Sequence, residues 1–96
     1  MTQRVIFSAP LPISVTPVTI QAGGNFSQFP DLKAIAIDLI NTSSSDIEYS
    51  RVEFDIYIPI PAGGNRMITG IKNANEISIR RIDQGNSVTI YAEVFE

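Results

Sequence analysis

Arg51-Val52-Glu53-Phe54-Asp55-Ile56-Tyr57-Ile58-Pro59-Ile60 is the stretch that decides the fold class, because its apolar side chains recur at every second position. Successive side chains on a β-strand point to opposite faces. Val52, Phe54, Ile56, Ile58 and Ile60 would then line a packed face, while Arg51, Glu53, Asp55 and Tyr57 line the other. Read this way, the ten residues form one amphipathic strand.

The same period runs outward from it. Val88, Ile90, Ala92 and Val94 alternate with Thr89, Tyr91, Glu93 and Phe95, and Ile35-Ile37-Leu39 and Ile77-Ile79 form two further stripes. Shorter candidates are Leu11-Ile13-Val15, Val18-Ile20 and Met67 to Ile71. No window of about a dozen residues holds a helical apolar pattern, and β-branched residues are abundant. Between the stripes lie turn-forming clusters: Ala22-Gly23-Gly24-Asn25, Thr42 to Asp46, Ala62-Gly63-Gly64-Asn65, Asn73-Ala74-Asn75 and Asp83-Gln84-Gly85-Asn86. The expected architecture is an all-β antiparallel β-sandwich with jelly-roll or immunoglobulin-like strand order. Ile47 and Tyr49 are out of phase with Val52 onward, and Ile82 with Ile79. A β-bulge or a strand crossing between sheets is the expected cause.

An internal repeat points the same way. Val18-Thr19-Ile20-Gln21-Ala22-Gly23-Gly24-Asn25 returns forty positions later as Ile58-Pro59-Ile60-Pro61-Ala62-Gly63-Gly64-Asn65. Ile35-Ala36-Ile37 with Ile40-Asn41 likewise answers Ile77-Ser78-Ile79 with Ile82-Asp83. This reads as a pseudo-twofold pair of β units; chance recurrence of the same turn chemistry is the alternative.

With 96 residues, the chain holds one core. It divides into residues 1–17, an extended N-terminal arm or edge strand interrupted by Pro10, Pro12 and Pro17, and residues 18–96, a single sandwich domain. Hydrophobic residues make up 44% and charged residues 18%, which excludes a disordered chain. The net charge of −3 argues against a partner held through nucleic-acid phosphates. There is no Cys and no His, so disulfides, thiolate or imidazole metal sites and the usual nucleophile–base pairs are excluded. Val5 to Pro30 lacks charge, but its prolines and glycines rule out a spanning helix, and Pro10 comes too early for an export signal. The chain is therefore expected to be made in a cytosol. The acceptor triplets Asn25-Phe26-Ser27 and Asn41-Thr42-Ser43 are then ordinary loop residues.

Few residues suggest chemistry. Glu53 and Asp55 would stand about 7 Å apart on one strand face, a spacing compatible with glycoside hydrolysis. Arg51 and Tyr57 on the same stripe make a solvated face the better reading. Arg80 and Arg81 should point to opposite sides, with one of them paired to an acidic group such as Asp83. Asp31, Asp38 and Asp46 are too dispersed for a calcium loop, and the Gly-Gly-Asn loops lack the ending of a phosphate-binding loop. Of the aromatic residues Tyr49, Tyr57, Tyr91 and Phe95, three occupy outward phases, as at protein–protein contacts. No catalytic, cofactor-binding or metal-binding residue is assigned. The candidate interface residues are Val5, Phe7, Leu11 and Ile13 in the arm, with Tyr57, Arg80, Arg81, Tyr91 and Phe95 in the domain.

Asn75-Glu76-Ile77-Ser78-Ile79-Arg80-Arg81-Ile82-Asp83-Gln84-Gly85-Asn86-Ser87-Val88-Thr89-Ile90-Tyr91-Ala92-Glu93 resembles the C-terminal hairpin of small virion structural proteins of tailed bacteriophages. The resemblance covers about a fifth of the chain. It implies a non-enzymatic subunit of the particle: a capsid decoration (cement) protein, or a neck, tail or fibre component. Its partners would be the major capsid protein or other virion proteins, and it would be a homo-oligomer, with a trimer favoured. Nucleic acid and membrane are not among the expected partners, and the location is the virion. A tail- or fibre-associated module that binds carbohydrate or a receptor is the alternative.

Overall fold

The computed structural model describes residues 14–52 and 56–96. Eight strands lie in these segments: β1 (Val15–Ala22), β2 (Ser27–Gln28), β3 (Ala36–Ile40), β4 (Ile47–Arg51), β5 (Tyr57–Ile60), β6 (Asn65–Thr69), β7 (Ile77–Arg81) and β8 (Val88–Phe95). A short 3-10 turn, Ala74–Glu76, precedes β7. The strands form two antiparallel four-stranded sheets, ordered β1-β8-β3-β6 and β2-β7-β4-β5. The chain changes sheet at every connection except β4 to β5. That order is a jelly roll rather than an immunoglobulin-like sandwich.

The repeat read from the sequence is present in the topology. Replacing β1, β2, β3 and β4 by β5, β6, β7 and β8, and the reverse, turns the order of one sheet into that of the other. The two Gly-Gly loops are equivalent crossovers, and each is held by the other half. Asn41 N–H donates to the Gly64 carbonyl at 2.9 Å, and Arg81 N–H donates to the Gly23 carbonyl at 2.8 Å. Gly63 adopts φ +80°, a left-handed conformation that glycine supplies without steric cost.

The core lies between the sheets. Ile37, Leu39, Ile90, Ala92 and Val94 face it from the first sheet, and Ile47, Tyr49, Ile60, Ile77 and Ile79 from the second; all are buried, as is Phe29. The stripe from Val88 to Val94 behaves as its alternation predicts: Val88 is half-buried and the other three members are buried.

The stripe from Val52 to Ile60 does not form one strand. β4 ends at Arg51, Val52 lies in a turn at 68% exposure, Ile56 is 57% exposed, and β5 begins at Tyr57. β4 and β5 pair antiparallel, with Ile47 opposite Ile60 and Tyr49 opposite Ile58. The register sets odd-numbered positions against even-numbered ones, so the inward phase changes parity when the chain reverses. This reversal, rather than a bulge or a sheet crossing, puts Ile47 and Tyr49 out of phase with Ile58 and Ile60. Ile82 has a similar explanation: it lies just beyond β7 in a turn and is 45% exposed. Ile35 precedes β3 and is exposed, although Ile37 and Leu39 on the same stripe are buried.

Val15, Thr16 and Pro17 belong to β1, an edge strand of the first sheet. Pro59 lies in β5, an edge strand of the second. Proline lacks the ladder donor, so edge strands are where it is tolerated.

Asparagines fasten the segments that precede and follow β3. At its C-terminal end Asn41 is fully buried. Its Nδ2 donates to the carbonyls of Ser45, Ile60 and Pro61 at 2.8, 3.1 and 3.2 Å. Its Oδ1 accepts from the Ser43 N–H and hydroxyl at 3.1 and 2.6 Å. Asn41 is therefore no ordinary loop residue, because it fastens the β3–β4 loop to the end of β5. Beside the preceding segment, Asn73 caps the 3-10 turn; its Oδ1 accepts from the N–H groups of Asn75 and Leu32, and its Nδ2 donates to Asp31. Glu76 completes the capping box by accepting from Asn73 N–H at 2.9 Å.

Candidate interaction faces

The two outer faces follow from the strand registers. On the second sheet, Glu48 of β4 stands opposite Arg80 of β7, and both side chains are half-buried. Arg80 Nε donates to Glu48 Oε2 at 2.7 Å. The guanidinium carbon sits 4.4 Å from the centroid of the Phe26 ring and 5.5 Å from that of Tyr57. The two rings are themselves 5.3 Å apart, tilted by 33°. Arg80 is thus sandwiched between a carboxylate and aromatic faces, where its charge is matched and its planar fork is held. Tyr57 remains half exposed.

The first sheet presents a different face. Tyr91 and Phe95 of β8 lie on it with Val15 of β1 and Met67 of β6; Val15, Met67 and Tyr91 are 45 to 49% exposed, and Phe95 is half-buried. At its centre Asp38 of β3 stands opposite Glu93 of β8. Asp38 Oδ1 is shielded from solvent and has no hydrogen-bond partner. Like charges directly opposite across a ladder are destabilising. Among the described residues, the outward positions of this sheet carry no Lys or Arg.

Arg81 lies on the opposite side of β7 from Arg80. Its Nε and Nη2 donate to the two carboxylate oxygens of Asp83 at 2.8 and 2.6 Å, and Nη1 donates to the Asn86 carbonyl at 2.5 Å. This bidentate contact, with the Gly85 N–H at 3.0 Å, holds the Asp83 carboxyl below its ordinary pKa of 3.8. A Cβ at Gly85 would lie 2.8 Å from the Arg81 guanidinium carbon, so a side chain there would push the guanidinium out of its place against the turn. The pairing of one arginine with Asp83 was expected from the sequence.

The described surface also carries concavities, two of which stand out. One, of about 290 Å³, is lined by Tyr49, Arg51, Ile56, Ile58 and Arg66. The Arg51 guanidinium there donates to the carbonyls of Thr69 and Gly70 at 3.2 and 3.0 Å. The other, of about 240 Å³, is lined by Ser44, Ser45, Asp46, Ile82 and Asp83. Among the described residues there is no group of three or more acidic side chains that could hold a metal ion, and no helix long and apolar enough to cross a membrane.

The structure brings Tyr57 and Arg80 together on one face, puts Tyr91 and Phe95 on the other, and ties Arg81 into a turn. Tyr49 is a core residue. Val5, Phe7, Leu11 and Ile13 lie outside the described residues, as do Glu53 and Asp55. Sequence reasoning missed Phe26, Glu48, and the opposed pair Asp38 and Glu93. The sequence signal for Glu48 was its alternation with Ile47 and Tyr49. The two pairings depend on which strands are neighbours. No family model, curated protein or solved structure matches the chain.

Proposed function

We propose that this chain is a non-enzymatic structural subunit of a tailed-bacteriophage particle, a decoration (cement) protein that stabilises the capsid through protein–protein contacts. The observation that carries the reading is the set of large apolar side chains exposed on the outer face of the first sheet: Val15, Met67 and Tyr91. Exposed apolar side chains gathered on one face of a small domain mark a surface that another protein covers. The resemblance of residues 75–93 to virion proteins supports the same reading. So does the jelly-roll strand order, an architecture used in capsids as well as in lectins. The partners are the major capsid protein or another virion protein and further copies of the chain, most simply in a trimer. The location is the virion, after synthesis in the host cytoplasm. The test is quantitative mass spectrometry of purified virions of a phage encoding the chain, with rebinding of the purified protein to particles that lack it. Stoichiometric presence and saturable rebinding are expected; absence from virions would refute the assignment.

A second reading has its own support. Phe26 and Tyr57 beside Arg80 and Glu48 combine aromatic faces with a charged pair, the chemistry a sugar-binding face uses. A tail- or fibre-associated carbohydrate-binding module would bind on a glycan array and lose that binding in Tyr57→Ala.

A further inference from the structure

The outer face of the first sheet is incomplete in charge. Val15, Tyr91, Met67 and Phe95 surround Asp38 and Glu93, which stand opposite each other on the two central strands. No described outward side chain on this sheet is cationic, and the shielded Asp38 Oδ1 has no partner. Whatever covers the face must be largely apolar and bring one positive charge to its centre. Two such faces brought together would oppose carboxylate to carboxylate, so the face is not its own complement.

Residues 1–13, immediately before β1, have the required composition. Arg4 is their only charged side chain, and Val5, Ile6, Phe7, Leu11 and Ile13 supply apolar surface. Thirteen extended residues reach about 43 Å at 3.3 Å each, enough to cross a sheet of a second molecule. Pro10 and Pro12 bias the local backbone toward extended conformations.

We propose that residues 1–13 of one copy dock on the outer face of the first sheet of a second copy, with Arg4 between Asp38 and Glu93. The inference deepens the reading of the chain as an assembly subunit and depends on that reading only for copy-to-copy contact. Because donor and acceptor surfaces differ, a one-way contact of this kind is heterologous, and it builds a ring such as a trimer where the rotation between copies closes.

The chain contains no cysteine, so cross-linking of the full-length protein can test the docking directly. Copies carrying Val5→Cys are mixed with copies carrying Met67→Cys and treated with a short bis-maleimide. A cross-linked heterodimer is expected. Its yield should fall at least tenfold when the donor also carries Arg4→Glu, and recover when the acceptor also carries Asp38→Lys and Glu93→Lys. With Ser78→Cys, on the outer face of the second sheet, as acceptor, no product is expected. Preferential cross-linking to Ser78→Cys would overturn the proposal. So would purely intramolecular closure of a Val5→Cys/Met67→Cys double variant at high dilution. If virions contain the protein but Val5→Cys and Met67→Cys never join, the face receives a foreign basic surface: this inference fails and the proposed function survives.

Discussion

The outer faces of the two sheets are built on one pseudo-symmetric strand order but differ in electrostatic completeness. On the second sheet Arg80 is matched by Glu48 at 2.7 Å and covered by the rings of Phe26 and Tyr57. On the first sheet Asp38 and Glu93 face each other with no described cation on the same face. One face is balanced within the molecule; the other presents two opposed carboxylates with no described cation beside them, and contact with another molecule is what we propose completes it. A like-charge pair on central strands lowers the stability of the free subunit, and an assembly that inserts a cation there recovers it.

Because both faces rest on one core, the largest effects should not depend on the face. Ile37 and Ile79 occupy equivalent fully buried positions in the two halves. Truncating either to alanine should lower unfolding stability by about 3 kcal/mol, read from urea denaturation. A large disparity between them would show that the halves are not packed equivalently. Asn41→Ala should follow at about 2 kcal/mol, because it leaves buried carbonyls without their donor.

The sharpest contrast is one of sign. Glu48→Gln should destabilise by about 1 kcal/mol, because it removes the carboxylate from a half-buried guanidinium. Asp38→Asn should stabilise the free subunit by about 0.5 kcal/mol by removing a like-charge opposition. Thermal midpoints shifting in opposite directions would establish the asymmetry. Two shifts of the same sign would remove it.

The smallest effect concerns Asp83. Its carboxyl pKa is lowered by the Arg81 contact, so the stabilising increment is present above the ordinary carboxylate pKa and is lost as pH falls through the lower folded value. The stability difference between the wild type and Asp83→Asn should therefore be constant near neutrality and vanish in acid, as measured by denaturant midpoints across pH.

The parts of this arrangement that alternation encodes were legible in the sequence. Val88 to Val94 keeps its phase because β8 runs straight through its sheet, and Tyr91 and Phe95 emerged on the outward side. Val52 to Ile60 was misleading because a turn with apolar flanks continues a period of two past the point where the strand ends. Jelly-roll and immunoglobulin-like orders could not be separated, since strand order depends on pairings such as Val15 with Phe95, at opposite ends of the described chain. The opposition of Asp38 to Glu93 was hidden for the same reason. Asn41 read as a turn residue, and only the meeting of loops from both halves buries it.

Sedimentation velocity of the full chain across concentration, beside an Asp38→Lys/Glu93→Lys variant, tests the central claim most directly. The account predicts that the wild type self-associates as concentration rises, while the variant stays monomeric with an undiminished thermal midpoint. A wild type that remains monomeric at every concentration, or a variant that associates equally well, would contradict it.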